Sequence, residues 1–133
     1  MTTIDITIKN GEPAGMTKRF SPEETISGTL LVVPEKDLKC RHLYVRARWH
    51  TEGRGDRDSG VGAEVDLFQG TLKAGMPAEY PFELSLPREP WSYAGHYINI
   101  VWELEAVIDL RLTKDPRATI EFVMAPRQPA ENF

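Results

Sequence analysis

One cysteine, Cys40, stands in the whole chain of 133 residues, so no disulfide can close within it. A lone cysteine at the start of a strand reads as a small half-buried apolar residue rather than a nucleophile. No apolar run approaches the roughly 20 residues a helix needs to cross a bilayer. The segment Met1-Thr2-Thr3-Ile4-Asp5 has no basic region leading into an apolar one, which speaks against a secretory signal. The expectation is a soluble, cytoplasmic protein. A basic surplus is also missing. Lys and Arg total 16 against 20 Asp and Glu, a net charge of −4, and phosphate-backbone binding needs the excess on the other side. Nucleic acid is therefore not an expected partner.

Catalytic and metal-binding patterns are equally scarce. His42, His50 and His96 fall on separate segments without His-x-x-x-His or Cys-x-x-Cys spacing, whereas zinc needs four converging N or S ligands. Asp56-Arg57-Asp58-Ser59-Gly60 has some look of a calcium loop, but a third acidic ligand and the closing Glu are missing. Arg54-Gly55-Asp56 is a three-residue match on a chain with no sign of export, and integrin binding is discounted. There is no Gly-x-Ser-x-Gly, and nothing pairs a serine with a histidine. Glu103 and Glu105 share a strand face where they could mimic an acid/base pair, yet acidic residues on an outward sheet face usually keep it soluble. The reading is a non-enzyme with no catalytic residue, metal or cofactor.

What the chain does have is alternation. Tyr80, Phe82, Leu84 and Leu86 fall on every second position. After Pro87-Arg88-Glu89-Pro90 the same beat returns at Ile98, Ile100, Trp102, Leu104, Ala106, Ile108 and Leu110. Strand side chains alternate between faces, so one face is buried while Glu79, Glu83, Asn99, Glu103, Glu105 and Asp109 lie on the other. Further strands are predicted at Ile4 to Lys9, Thr25 to Val33, Leu43 to Trp49, around Val65 and Leu67, and at Arg117 to Met124. Gly11-Glu12-Pro13-Ala14-Gly15 reads as a turn. Glu52 to Gly62, with four glycines and five charged residues, reads as a mobile hairpin loop. The stretch Tyr97 to Leu112 looks too long for one flat strand and is expected to bend or to join both sheets. Seven strands and no helix predict an all-β, antiparallel two-sheet sandwich. Its core is expected to hold Leu43, Val45, Ala47, Trp49, Phe82, Leu84, Ile100, Trp102, Leu104, Ile120 and Phe122. Residues 1–124 form the expected domain. Residues 125–133, with two prolines and no period, form an expected flexible tail.

Three motifs in order resemble one family. Gly28-Thr29-Leu30-Leu31-Val32-Val33-Pro34, followed by Arg41-His42-Leu43-Tyr44-Val45-Arg46-Ala47-Arg48-Trp49, is similar to a strand pair of the arrestin N-terminal domain. Ala78-Glu79-Tyr80-Pro81-Phe82-Glu83-Leu84-Ser85-Leu86-Pro87 resembles its Pro-Phe strand. Trp91 to Ala106 resembles its Ser-x-x-Gly turn and the long strand after it. The resemblance implies an immunoglobulin-like, arrestin-like β-sandwich used as a binding scaffold. The single lobe is closest in kind to bacterial arrestin-like proteins of the sporulation-control type. Paired lysines are absent near the start, where Lys9 precedes Asn10, and the tail has no Pro-Pro-x-Tyr. Phosphoreceptor recognition and ligase recruitment are accordingly not carried over.

The function expected is non-catalytic binding of partner proteins, or of a second copy of the chain, through sheet edges or exposed loops. Glu121, in the last strand, marks the preferred edge over Ile4 to Lys9. The rival is a small-ligand or carbohydrate site on the aromatic turn of Trp91, Tyr93 and Tyr97, whose rings could equally seal the end of the sandwich.

Overall fold

The computed structural model describes residues 2–55 and 57–126. Asp56, and with it part of the Arg-Gly-Asp and calcium-loop readings, lies outside the described residues, as does the tail from residue 127 on. The strands are β1 (Thr3–Ile8), β2 (Glu12–Ala14), β3 (Thr17–Phe20), β4 (Thr25–Val33), β5 (Leu38–Gly53), β6 (Ser59–Asp66), β7 (Gly70–Leu72), β8 (Ala78–Ser85), β9 (Tyr93–Ala94), β10 (Ile98–Leu110) and β11 (Arg117–Met124). A small sheet runs β1-β4-β8. A large one runs β2-β3-β11-β10-β5-β6, with β7 pairing β5 and β9 pairing β10. All pairings are antiparallel except β3 with β11, which is parallel over two residues.

The all-β, two-sheet expectation holds, and β11 begins and ends where the alternation placed it. Several details differ. Four short strands, β2, β3, β7 and β9, join the seven read from alternation, because two to four residues carry no readable period. One of them, β2, occupies the predicted turn around Pro13. The strand expected at Leu43 to Trp49 runs Leu38–Gly53, and the loop expected from Glu52 to Gly62 shrinks to the tip between Gly53 and Ser59. Here backbone pairing extends past the point where side chains have anything to bury: Thr51 N–H still donates to the Asp58 carbonyl at 2.9 Å.

The long strand neither bends into the second sheet nor splits. β10 stays in the large sheet and pairs β5 from Ile98↔Gly53 to Leu110↔Cys40, with one bulge at Asp109/Leu110. It can be this long because β5 is longer still and supplies a partner for the whole length. Its inner face, Trp102, Leu104, Ala106 and Ile108, is fully buried with Leu43, Val45 and Ala47 of β5. Ile26, Leu30 and Val32 of β4 and Phe82 and Leu84 of β8 meet them from the small sheet. Trp49 and Ile100 are only half-buried, towards one end. Ile120 is corrected outright. It shares the inward parity of Phe122 but is 37% exposed, because the three-stranded sheet is too narrow to cover it.

Trp102 is the largest fully buried side chain. Its indole N–H donates to the Pro90 carbonyl at 2.7 Å, which satisfies the one polar atom that burial would otherwise strand. Its ring tilts against Phe122 at 5.8 Å between centroids. Gly62 makes room for it, since a β-carbon there would lie 2.6 Å from the ring and 2.8 Å from Pro87. Trp102→Ala should cost about 3–5 kcal/mol through cavity formation. Gly62→Ala should cost about 1–3 kcal/mol through overpacking. Urea denaturation of both variants checks the pair, and an unchanged midpoint for Trp102→Ala would refute this core.

Candidate functional site

Which backbone groups the edges leave free follows from ladder register. In an antiparallel pair, residues alternate between hydrogen-bonded and non-bonded positions, so each strand turns every second N–H and C=O outward. Ile108 N–H donates to the Pro116 carbonyl at 3.0 Å. In that register the bonded pairs of β10 and β11 are Ala106–Ala118, Leu104–Ile120 and Trp102–Phe122. Thr119 and Glu121 therefore point their backbone groups away from β10. Lys9 N–H donates to the Ser27 carbonyl at 2.9 Å, which makes Ile4, Ile6 and Ile8 the outward positions of β1.

These two edges share one seam of the sandwich. The last strand, expected at the sheet margin, is not the outermost, because β3 pairs with it at Val123 and Met124. It is open over its first six residues, and Glu121 lies in that open part with an exposed side chain. Ile6, Ile8, Ile120 and Glu121, with Pro13 and Met16 of the β2–β3 hairpin, line a groove of about 330 Å³ between the edges.

The opposite seam is blocked. Leu86 N–H donates to the Glu24 carbonyl at 2.9 Å, so Glu79, Pro81 and Glu83 are the outward positions of β8. Pro81 has no N–H to offer an incoming strand, and charges flank it. Facing it, β6 presents Glu64 and Asp66 at its outward positions, a register fixed by Leu67 N–H donating to the Leu43 carbonyl.

The aromatic turn stands at the end of the sandwich where β10 begins. Trp91, Tyr93 and Tyr97 are 51, 56 and 63% exposed, so they do not seal the core. Each has its own local contact. The Trp91 indole N–H donates to the Arg88 carbonyl at 3.1 Å, the Tyr93 ring lies over Gly95, and Tyr97 meets His96 edge to face. Ser92 ties the turn to β11: its N–H donates to the Met124 carbonyl at 2.7 Å, and its hydroxyl accepts from Met124 N–H at 3.0 Å.

Alternation alone misassigns one carboxylate. Glu105 faces the outer side of the large sheet, as expected, yet it is only 3% exposed. Arg48 Nη1 at 3.2 Å, Arg117 Nη1 at 3.4 Å and Arg46 Nη1 at 3.7 Å close over it. Glu103 next to it faces Arg48 and His50. The signal was available in the sequence, as Arg46 and Arg48 on one long strand and Glu103 and Glu105 on another. Only the register brings them opposite each other.

Among the described residues, no group of three or more His, Cys, Asp or Glu side chains could hold a metal. Burial, reinforced by the carboxylates of Asp66 and Asp109, pushes the Cys40 thiol up to about 11.

No known family's sequence profile matches the chain, and no curated protein does. Among solved structures, the sporulation control protein Spo0M from Bacillus subtilis is similar, with a TM-score of 0.72 over 95% of this chain at 13% sequence identity. The fold is an arrestin-like β-sandwich. The chain spans half the length of that Spo0M chain. In arrestin-like terms, the open seam and the aromatic turn are two separate surfaces of one sandwich, joined by β11 and Ser92.

Two outcomes follow. Cys40 should resist thiol reagents at neutral pH in the folded protein and react fully after denaturation, as a colorimetric thiol assay would read. Glu105→Ala should destabilise by about 2–3 kcal/mol, less than for a fully buried pair because the arginines keep part of their hydration. Arg117→Ala should stay within about 1 kcal/mol. Equal effects in chemical denaturation would show that Glu105 is not the centre of the cluster.

Proposed function

We propose that the chain is a non-catalytic interaction module that takes up an extended segment of a partner protein along the β1/β11 seam. The observation that carries this is the juxtaposition of unpaired ladder groups at Ile4, Ile6 and Ile8 and at Thr119 and Glu121 around one apolar groove. Main-chain hydrogen bonds would supply affinity, and alternate apolar side chains entering between Ile6, Ile8 and Ile120 would supply selectivity. The blocked seam at Pro81 supports the choice, since a fold that guards one edge and not the other has left the second for use. The similar solved protein is named for sporulation control, which favours a regulatory role. A second copy of the chain is the simplest partner able to offer a complementary strand.

A rival reading rests on the exposure of Trp91, Tyr93 and Tyr97. Three open rings on a tethered turn suit stacking on a sugar or another small ligand.

Glu121→Pro tests the first reading. Proline removes an outward N–H and no bond to β10, so folding should survive while association fails. Ile120→Pro, one residue earlier, removes a donor to Leu104 and should lower the melting temperature sharply. Light scattering after size exclusion and a pull-down from the native cell compare both with the wild type. A folded Glu121→Pro protein that keeps its partners and oligomeric state would refute the seam. A glycan-array signal abolished by Trp91→Ala would favour the rival.

A further inference from the structure

The far end of the sandwich, away from the aromatic turn, carries a charge opposite to that of the chain as a whole. Lys36 and Lys39 at the start of β5 and Arg111 after β10 border an open groove of about 920 Å³, floored by Leu38, Cys40 and Leu110. Lys114 follows in the same turn as Arg111. Lys36, Lys39, Arg111 and Lys114 form no ion pair among the described residues, whereas Arg41 and Lys73 nearby are matched by Asp109 and Asp37. Four cations without a salt bridge among the described residues thus gather at one end, outnumbering the neighbouring carboxylates Glu35, Asp37 and Asp115, in a chain with a net charge of −4.

Two apolar side chains project from this end. Leu112, at the head of the β10–β11 turn, is 91% exposed, so its side chain rests on almost nothing. Met76 is exposed on the turn between β7 and β8. That turn is fixed to the same end, with Gly75 N–H donating to the Pro34 carbonyl and Ala74 N–H to the Asp37 carboxylate, each at 2.8 Å. The apolar residues thus stand on two separate turns, Leu112 at the rim of the groove, with cations nearby.

We propose that this end of the sandwich docks on an anionic lipid surface, with Leu112 entering the headgroup layer while Lys36, Lys39, Arg111 and Lys114 face the lipid phosphates and carboxylates. An apolar residue on a protruding turn gains by leaving water for the interfacial region. Each lysine or arginine near an anionic leaflet contributes about fivefold in partitioning. An acidic peptide would use the same charges, but Leu112 stands at the groove's rim with 91% of its surface open, more than a peptide lying in the groove would cover. The groups involved lie at the opposite end from the aromatic turn and outside the β1/β11 groove, so docking here leaves the seam free.

Vesicle flotation with the whole chain tests this. Vesicles of three parts phosphatidylcholine to one part phosphatidylserine should carry the protein, and phosphatidylcholine alone should not. Lys36→Gln with Lys39→Gln should weaken binding by about 25-fold, and added salt should act in the same direction. Leu112→Ser should weaken it without changing the salt dependence. Arg111→Gln with Lys114→Gln gives an independent second pair should the first misfold, with melting temperatures as the control. Failure to float with the mixed vesicles, equal flotation on both compositions, or variants that bind like the wild type would overturn the proposal. So would capture of the protein by polyglutamate but not by vesicles.

Discussion

The pairing of β5 with β10 is the constraint on which the rest of this molecule depends. Thirteen residues of β10 find partners along a strand of sixteen, and the two surfaces of that ribbon solve different problems. Inward, it presents the residues that the small sheet covers: Leu43, Val45 and Ala47 beside Trp102, Leu104 and Ala106. Outward, the same register sets Arg46 opposite Glu105 and Arg48 opposite Glu103. A slip of one residue would turn the slipped strand's apolar side chains to the other face and set Arg46 and Arg48 against apolar partners instead of carboxylates. Packing and electrostatics thus select the same alignment, and agreement between independent terms is what makes a long strand pair unambiguous.

The narrowness of the small sheet shapes the surface. Three strands cannot cover the whole inner face of a sheet twice as wide, so inward-pointing residues near the margin, Ile120 among them, end in a groove rather than in the core. The groove and the unpaired ladder groups beside it have the same geometric origin. The molecule handles its two seams differently, with Pro81 between Glu79 and Glu83 on one and three isoleucines, Thr119 and Glu121 on the other.

Much of the architecture was legible in the sequence wherever alternation ran for six residues or more. Leu43 to Trp49, Tyr80 to Leu86, Ile98 to Leu110 and Arg117 to Met124 all show it, and all are strands. Arg41-His42 before the first of these reads as polar, yet backbone pairing with β10 and β7 carries the strand back to Leu38. The strands β2, β3, β7 and β9 escaped because their hydrogen bonds go to segments far away in the chain, and two to four side chains announce no period. The surfaces were less readable than the fold. Trp91, Tyr93 and Tyr97 could be named as a cluster, but whether they covered the core or stood in solvent depended on where β9 meets β10. Glu121 could be placed on a late strand. The direction of its N–H required the register, which no local pattern encodes. The burial of Glu105 depended on arginines 57 and 59 positions earlier in the chain.

Pro81 limits how far such molecules can grow into one another. Endless strand-by-strand stacking, as in a fibril, requires every subunit to accept a neighbour on one margin and offer another on the opposite margin. A strand laid along β8 would find no donor at Pro81, so pairing is interrupted at the midpoint of that margin. Strand addition through the small sheet is thereby hindered on its β8 side, and that margin is a poor template for aggregation.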